Sequence, residues 1–324
     1  MSDSVLVTGA TGLIGGNVCR ILAGQGRHVR ALVRNPDEAG PVAELGVELV
    51  AGDITDAGSV RAAAAGCAGI VHAAAVLGGT GQDLEVYRRT NAAGTAAVFD
   101  AAAEQGAKTV FTASLVIFDE TRLLTPRSEV DYSAGDPYTV TKREAFLDAR
   151  ARAAAGQDIA VILPGATHGP APMTAKALVP TSFNRLIRGA ITGRMRSYPS
   201  SVTMPFSFAP DVAAAIVAAL EHGESGEYYL AFGDEDAMRG VDFFNLACEV
   251  AGIERRVPEL DLDPDDPAAL AAYGESMTRN MRLRRPVPAF DDRVSREVLG
   301  YRPTPVRAAL AQTVDWLRAE AQIS

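Results

Sequence analysis

The chain is expected to fold as a doubly wound α/β structure, a parallel sheet with helices on both faces, carrying a smaller C-terminal lobe. Three observations carry that expectation. An apolar run, Val5 to Val7, ends in glycines at 9, 12 and 15, a spacing that suits a strand turning sharply into a helix. Apolar strand candidates recur at 5–8, 28–33, 47–51, 69–73, 109–113 and 159–163 with helix-length segments between them, the alternation of a parallel sheet. Two intervening segments, 92–103 and 138–155, are rich in alanine and suit helices packed closely on a sheet or on a partner subunit.

Taken in order, Val5, Leu6 and Val7 form a continuous apolar run, as strands buried on both faces do. Gly9, Gly12 and Gly15 allow a tight turn, a close approach to a pyrophosphate and close packing of helix on strand. The helix starts near Leu13, and its unpaired N–H groups and positive dipole end suit an anion. A Gly-Gln-Gly break follows at 24–26, and the run 28–33 completes a strand–helix–strand unit. The alanine run 62–65 reads as helix, and Asp211 as a cap for a helix over 212–220. Prolines at 164, 170, 172 and 180 interrupt the pattern beyond Leu163. The expected division is a dinucleotide-binding domain over 1–165, rejoined by about 203–231, and a substrate-binding lobe over 166–324.

At 324 residues and 48% hydrophobic content the chain can bury a large core. Its net charge of −9 argues against nucleic acid, whose phosphates favour a basic face. No apolar segment approaches spanning length, and the N-terminus lacks the pattern of a signal peptide, so a cytoplasmic protein with no membrane contact is expected. Cys19, Cys67 and Cys248 are too far apart for a disulfide framework, and neither they nor His28, His72, His168 and His222 have metal-ligand spacing. No metal is expected.

The chemistry-bearing residues lie in the second half of the first domain. Tyr138 and Lys142 stand one helical turn apart and share a face. A tyrosine titrates near 10, and an ammonium beside it is expected to lower that value. Ser114 ends the fifth strand candidate, at the carboxyl edge where ligands sit in such sheets, and its hydroxyl is placed to hold a substrate oxygen.

With these residues in hand, the chain resembles the extended short-chain dehydrogenase/reductases, in the NAD-dependent epimerase/dehydratase and dihydroflavonol-reductase-like group, over nearly its whole length. The matching pieces are Thr-Gly-Ala-Thr-Gly-Leu-Ile-Gly at 8–15, Asp53-Ile54, His72-Ala-Ala-Ala75, Asn91-Ala-Ala-Gly94-Thr95, Ser114, Tyr138 with Lys142, and Leu163-Pro-Gly-Ala-Thr-His-Gly-Pro170. Leu299-Gly-Tyr-Arg-Pro303, followed by a helix containing Trp316, resembles the family's closing segment. The resemblance implies a Rossmann fold and a catalytic set of Ser114, Tyr138 and Lys142, with Lys142 also holding the nicotinamide ribose. It further implies a cofactor site lined by Gly9, Thr11, Gly12, Leu13, Ile14, Asp53, Ile54, Ala73, Ala74, Ala75, Pro164 and Gly165. Asn91 would position the helix or a proton-relay water, or serve only the structure. The alanine-rich helices resemble those that pair between subunits, which implies a homodimer.

Cofactor choice turns on charge. Binders of the unphosphorylated dinucleotide place an acid after the second strand to take the ribose 2′-hydroxyl. Here that position is Arg34, which suits a 2′-phosphate, so NADP(H) is expected over NAD(H); Arg30, within the strand, is the weaker candidate. Where relatives carry hydroxyl residues and Tyr-Gly, this chain has Thr112-Ala113 and Phe118-Asp119, and Leu115, Val116 and Ile117 follow Ser114 in place of the acidic pair of sugar dehydratases. His168 replaces a tyrosine. Val76, Leu115, Val116 and His168 are the candidate substrate contacts, on a wall drawn from 76–81, 115–117 and 173–183; the alternatives are that His168 packs beneath the substrate and that the apolar side chains belong to the core.

The expected function is NADP(H)-dependent interconversion of a ketone or aldehyde and an alcohol on a partly apolar small molecule, with Tyr138 exchanging the proton. The alternative is a nucleotide-sugar epimerase with tightly held NAD, whose diphosphate the cluster Arg279, Arg282, Arg284 and Arg285 would bind. A nucleotide-sensing regulator is disfavoured, because such relatives lack the Tyr–Lys pair.

Overall fold

The computed structural model of the chain describes residues 4–118, 123–132, 135–233, 238–269, 271, 278, 281 and 290–323. Asp119 and the arginines at 279, 282, 284 and 285 lie outside the described residues. The central sheet is built from β1 (Val5–Thr8), β2 (Val29–Val33), β3 (Glu48–Ala51), β4 (Gly69–His72), β5 (Lys108–Thr112) and β6 (Ile159–Pro164). A seventh strand, Tyr228–Ala231, returns from the C-terminal side to pair with β6. All neighbours are parallel, in the order Tyr228–Ala231, β6, β5, β4, β1, β2, β3. The six strand candidates match these strands to within a residue or two at each end.

The apolar runs are continuous because both faces of the sheet are covered, and successive side chains still point to opposite layers. Val5 and Val7 join one core with Val18, Cys19 and Leu22. Leu6 points into the other, with Val60, Ala63, Val98 and Ala102. On β6, Ala160 and Ile162 enter the first layer, while Ile159, Val161 and Leu163 enter an aromatic cluster with Phe99, Phe111 and Phe146. The first layer is made by α1 (Leu13–Gly24) and the helix Ala209–His222, which pack on each other. Along the chain follow the short α2 (Gly40–Ala43), α3 (Ala57–Ala64), α4 (Leu84–Tyr87), α5 (Gly94–Gln105) and α6 (Pro137–Ala154). Of these, α3 and α5 pack together over the Leu6 face.

Two helix assignments differ from expectation. The helix expected over 212–220 starts at Ala209, with Pro210 in its first turn, where a missing N–H costs nothing. Asp211 therefore does not cap it: its carboxylate accepts from the Thr304 backbone N–H at 2.6 Å and the Thr304 hydroxyl at 2.9 Å, tying the helix to the C-terminal segment. The alanine-rich segment expected over 92–103 is α5, preceded by a π-helical turn, Arg88–Ala93, in which the Gly94 N–H reaches back five residues to the Arg89 carbonyl.

Beyond β6 the strand Ala166–His168 pairs in parallel with Phe206–Phe208. These strands and the helices Phe183–Thr192, Gly240–Val250 and Val306–Ala319 enclose a second core, in which Phe206 and Phe243 stack at 3.6 Å between ring centroids.

Leu6 is fully buried at the centre of the sheet. Leu6→Ala is expected to cost about 2–5 kcal/mol of folding stability, the range for a truncated core leucine, read from the shift of a urea unfolding midpoint.

Candidate active site

The strand order reverses between β1 and β4, and ligands of open parallel sheets sit beyond the carboxyl ends of the strands at such a point. Here those ends almost touch. Gly9 adopts φ +71°, and a Cβ there would stand 2.6 Å from the Ala74 backbone nitrogen, so any side chain would force the strand ends apart. Gly15 is equally confined: its Cβ would overlap the Gly9 carbonyl, which is how the first turn of α1 sits directly over the β1 turn. That helix starts at Gly12 with no side-chain cap and no acid in its first turn, leaving its N-terminal N–H groups to an anion. The residues fit a dinucleotide pyrophosphate.

The other expected cofactor contacts surround this turn unevenly. Ala73, Ala74 and Ala75 are partly buried, and the backbone of Ala73 and Ala74 lies against Gly9. Asp53 folds its carboxylate onto the Thr55 N–H and hydroxyl, both at 2.9 Å. Ile54 is 7% exposed and packs on Gly94, so it stands in the core more than on the wall of a cleft. Pro164 ends β6, and Gly165 is locked to the second core, its N–H donating to the Ser207 hydroxyl at 2.9 Å. Arg34 is exposed just past β2 and makes no side-chain hydrogen bond or ion pair among the described residues. Arg30, by contrast, is held by Glu48 at 3.2 Å and the Ala65 carbonyl at 2.6 Å.

The catalytic candidates gather on the far side of β4. Asp136 caps α6, accepting from the Thr139 N–H at 3.1 Å and the Thr139 hydroxyl at 2.6 Å, with Pro137 opening the helix; the first turn is thereby fixed, and Tyr138 lies in it. The Ser114 side chain, at the end of β5, lies beside the Tyr138 phenol, close enough to act on its ionisation. Burial raises the tyrosine above its ordinary value, Ser114 opposes the rise, and the nearby Asp136 and Tyr87 add to it.

Lys142 is 3% exposed, its ammonium donates to the Thr112 carbonyl at 2.8 Å and lies 4.8 Å from the centre of the Phe111 ring. It reaches past the tyrosine to the β5 backbone, and the groups that shift Tyr138 are its burial, Ser114, Asp136 and Tyr87. Burial pushes the Lys142 pKa down from 10.5 to about 7, because no carboxylate offsets the desolvation of the charge.

The substrate-wall candidates divide. Val76 and Val116 are partly buried and remain available to a ligand. Leu115 does not: it is 6% exposed and packs in the Phe111–Phe146 cluster. His168 is also no wall residue. It is 1% exposed, packed against Phe208 and Phe243 and bonded through Nδ1 to the Thr313 hydroxyl at 3.0 Å, and burial lowers its pKa to about 3.

The structure also assembles residues to which the sequence assigned no such part. Asn91 clamps Val76 on both sides, its amide oxygen accepting from the Val76 N–H at 2.8 Å and its amide nitrogen donating to the Val76 carbonyl at 3.0 Å. One turn earlier the Tyr87 hydroxyl donates to the Leu77 carbonyl at 2.9 Å, and its ring meets Tyr138 edge-on at 6.5 Å. Gly78 fits against the Tyr138 ring, where a Cβ would stand 3.2 Å from Cδ1. Beneath them the Thr8 hydroxyl, His72 and the Thr95 hydroxyl form a buried chain, at 2.7 and 2.9 Å. The four-residue spacing of Tyr87, Asn91 and Thr95, a polar stripe on a largely apolar helix, is the signal that would have found them. Among the described residues no cluster of potential metal ligands occurs, and no helix is long and apolar enough to cross a membrane.

The Lys142 geometry sets a pH dependence. Between its folded value near 7 and its ordinary value of 10.5 the unfolded chain binds the proton and the folded chain does not, so stability rises with pH across that window and the penalty is fully present below it. Raising the pH from about 7 to about 9 is expected to stabilise the cofactor-free protein on the order of 1–2 kcal/mol, the scale of one to two pKa units, measured by chemical unfolding. The Lys142→Met protein should lose that increment.

Residues 5–231 match the model of the NAD dependent epimerase/dehydratase family. Sterol demethylase protein B of Methylococcus capsulatus is 29% identical over 99% of this chain and 100% of that protein. Cinnamoyl-CoA reductase 1 of Oryza sativa subsp. japonica is 31% identical over 71% of each. Among solved structures, that of gox2253 superposes with a TM-score of 0.85 at 25% identity, covering 99% of this chain and 100% of that one. With the seven-stranded parallel sheet and the glycine turn at its switch point, these matches make the chain a member of the NAD dependent epimerase/dehydratase family, the extended short-chain dehydrogenase/reductases, and an NAD(P)-dependent enzyme of that family.

Proposed function

We propose that the chain is an NADP(H)-dependent oxidoreductase that interconverts a ketone or aldehyde and an alcohol on a partly apolar small molecule. The observation that carries this reading is the Ser114–Tyr138 hydroxyl pair at the carboxyl edge of the sheet, one strand from the glycine turn. A nicotinamide dinucleotide, when bound, supplies or removes the hydride at the carbonyl carbon. The Ser114 and Tyr138 hydroxyls hold the substrate oxygen, and Tyr138 donates its proton as negative charge develops there. Burial holds Tyr138 further above neutrality, so in the reductive direction it stands ready as a proton donor. Lys142, with one donor spent on Thr112, keeps its other N–H groups for a ribose hydroxyl.

Arg34 supports NADP(H). Its guanidinium is exposed and uncommitted at the end of β2, where the ribose 2′ position is read, and a 2′-phosphate is its natural partner. The apolar character of the substrate is supported by Val76, Val116 and Leu77, the last 45% exposed on the segment that crosses Tyr138. It is supported too by relatives named for a sterol and for cinnamoyl-CoA. The proposal includes a homodimer paired through α5 and α6, as the family resemblance implies.

The test follows NADPH and NADH absorbance against a panel of ketones, aldehydes and UDP-sugars. Tyr138→Phe is expected to lower turnover by about 10²–10⁴, the usual worth of a positioned acid, with NADPH affinity unchanged; full turnover in that variant overturns the mechanism. Arg34→Ala should weaken NADPH binding by about tenfold or more, as for a hydrogen bond to a charged group, and leave NADH alone. A wild-type preference for NADH would remove the role of Arg34, and UDP-sugar epimerisation with NAD retained through purification would replace the reductase reading. Light scattering at micromolar protein should give the dimer mass, and a monomer alone excludes the dimer.

A further inference from the structure

The Thr8–His72–Thr95 chain lies beneath the site and takes no part in the proton transfer proposed above. Its direction follows from counting protons. The Thr95 hydroxyl donates to the Asn91 carbonyl at 2.7 Å, an oxygen that can only accept. Its single proton is thereby used, so the Thr95 oxygen must accept the 2.9 Å bond from His72 Nε2. His72 carries its proton on Nε2. The ring is fully buried, its partners are two hydroxyls, and the Phe111 ring on which it stacks at 5.6 Å also carries the Lys142 ammonium. A second proton would place an unpaired imidazolium in that setting. Nδ1 is therefore a bare acceptor, and Thr8 donates the 2.7 Å bond to it.

We propose that His72 is a positioning residue for the substrate wall. As a single neutral tautomer it fixes a one-way chain, Thr8 to His72 to Thr95 to the Asn91 carbonyl, that holds the π-helical turn where Asn91 can clamp Val76. A π turn needs such support, because its ladder is shifted by one residue. In this chain the Asn91 carbonyl is taken by a side chain, while the Asn91 amide engages both backbone groups of Val76 and reaches the Thr141 hydroxyl at 3.4 Å. Two residues beyond Val76, Gly78 lies on the Tyr138 ring. The strand that leads into the glycine turn is thereby joined to the wall of the tyrosine site. The functional meaning of this chain rests on the reading of Tyr138 given above, but its test requires no turnover.

In the ¹⁵N-labelled protein, with and without NADPH, the His72 ring is expected to show a protonated ε2 and an unprotonated δ1 nitrogen, unchanged between about pH 5.5 and 8.5, a range in which a free histidine titrates. A δ1-protonated ring or an imidazolium there overturns the proposal. Amide hydrogen exchange supplies the second measurement. Thr95→Val should reduce protection of the Val76 amide by about tenfold or more, as for a local opening, while the Val7 and Val71 amides in the strands keep theirs. Thr95→Ser, which retains the hydroxyl, should restore it. Unchanged Val76 protection in Thr95→Val, or an equal loss at Val7 and Val71, means that the residue serves the fold alone. If no member of the substrate panel is turned over, the catalytic reading fails while these outcomes still decide the role of His72.

Discussion

Everything at the candidate site depends on how closely two strand ends approach. Gly9 sits on the backbone of Ala73 and Ala74 with no room for a Cβ, and Gly15 brings the start of α1 over the same turn. Because nothing but backbone lies there, the anion-binding helix end and the polar residues beyond β4 can belong to one cleft. A side chain at position 9 would separate the two halves of the chemistry before altering either.

Desolvation is the second theme, and it acts on each ionisable group differently. Tyr138 is raised, Lys142 is lowered, and His72 and His168 are held neutral. In the cofactor-free protein Lys142 carries its charge only part of the time near pH 7, while Tyr138 keeps its proton. Further positive charge is available at Arg34, exposed just past β2. Such a distribution favours a ligand that brings its own anionic end to the glycine turn and an uncharged end to Tyr138.

Most of the framework was legible because it depends on local signals. Apolar runs, glycine spacing and alanine-rich helices located six strands and the helices around them, and the strand-end position of Ser114 with the one-turn spacing of Tyr138 and Lys142 picked out the residues proposed as the centre of the candidate site. What was not legible depends on partners far away in sequence. His168 was a candidate because it replaces a tyrosine of the related sequences, yet its partner Thr313 comes 145 residues later. Leu115, a candidate substrate contact beside Ser114, is core, because a single turn of 3₁₀ helix places it with Phe111 and Phe146. Spacing placed Lys142 on the face of Tyr138, but only the fold shows that its long side chain passes on to the Thr112 carbonyl. The π turn leaves no compositional mark, and the polar stripe of Tyr87, Asn91 and Thr95 marks a face without showing that Asn91 clamps Val76.

The seventh strand has a consequence for how the chain is made. Tyr228–Ala231 completes the sheet on the open side of β6, but it emerges from synthesis only after Ala166–His168, Phe183–Thr192 and Ala209–His222 have been added. Until then β6 is a bare hydrophobic edge, the kind of surface that recruits other strands. Closing it requires a long-range pairing, which is slow for entropic reasons. The nascent polypeptide is therefore most exposed to aggregation during the interval between these two strands, when most of the nucleotide-binding sheet already exists and its last neighbour does not.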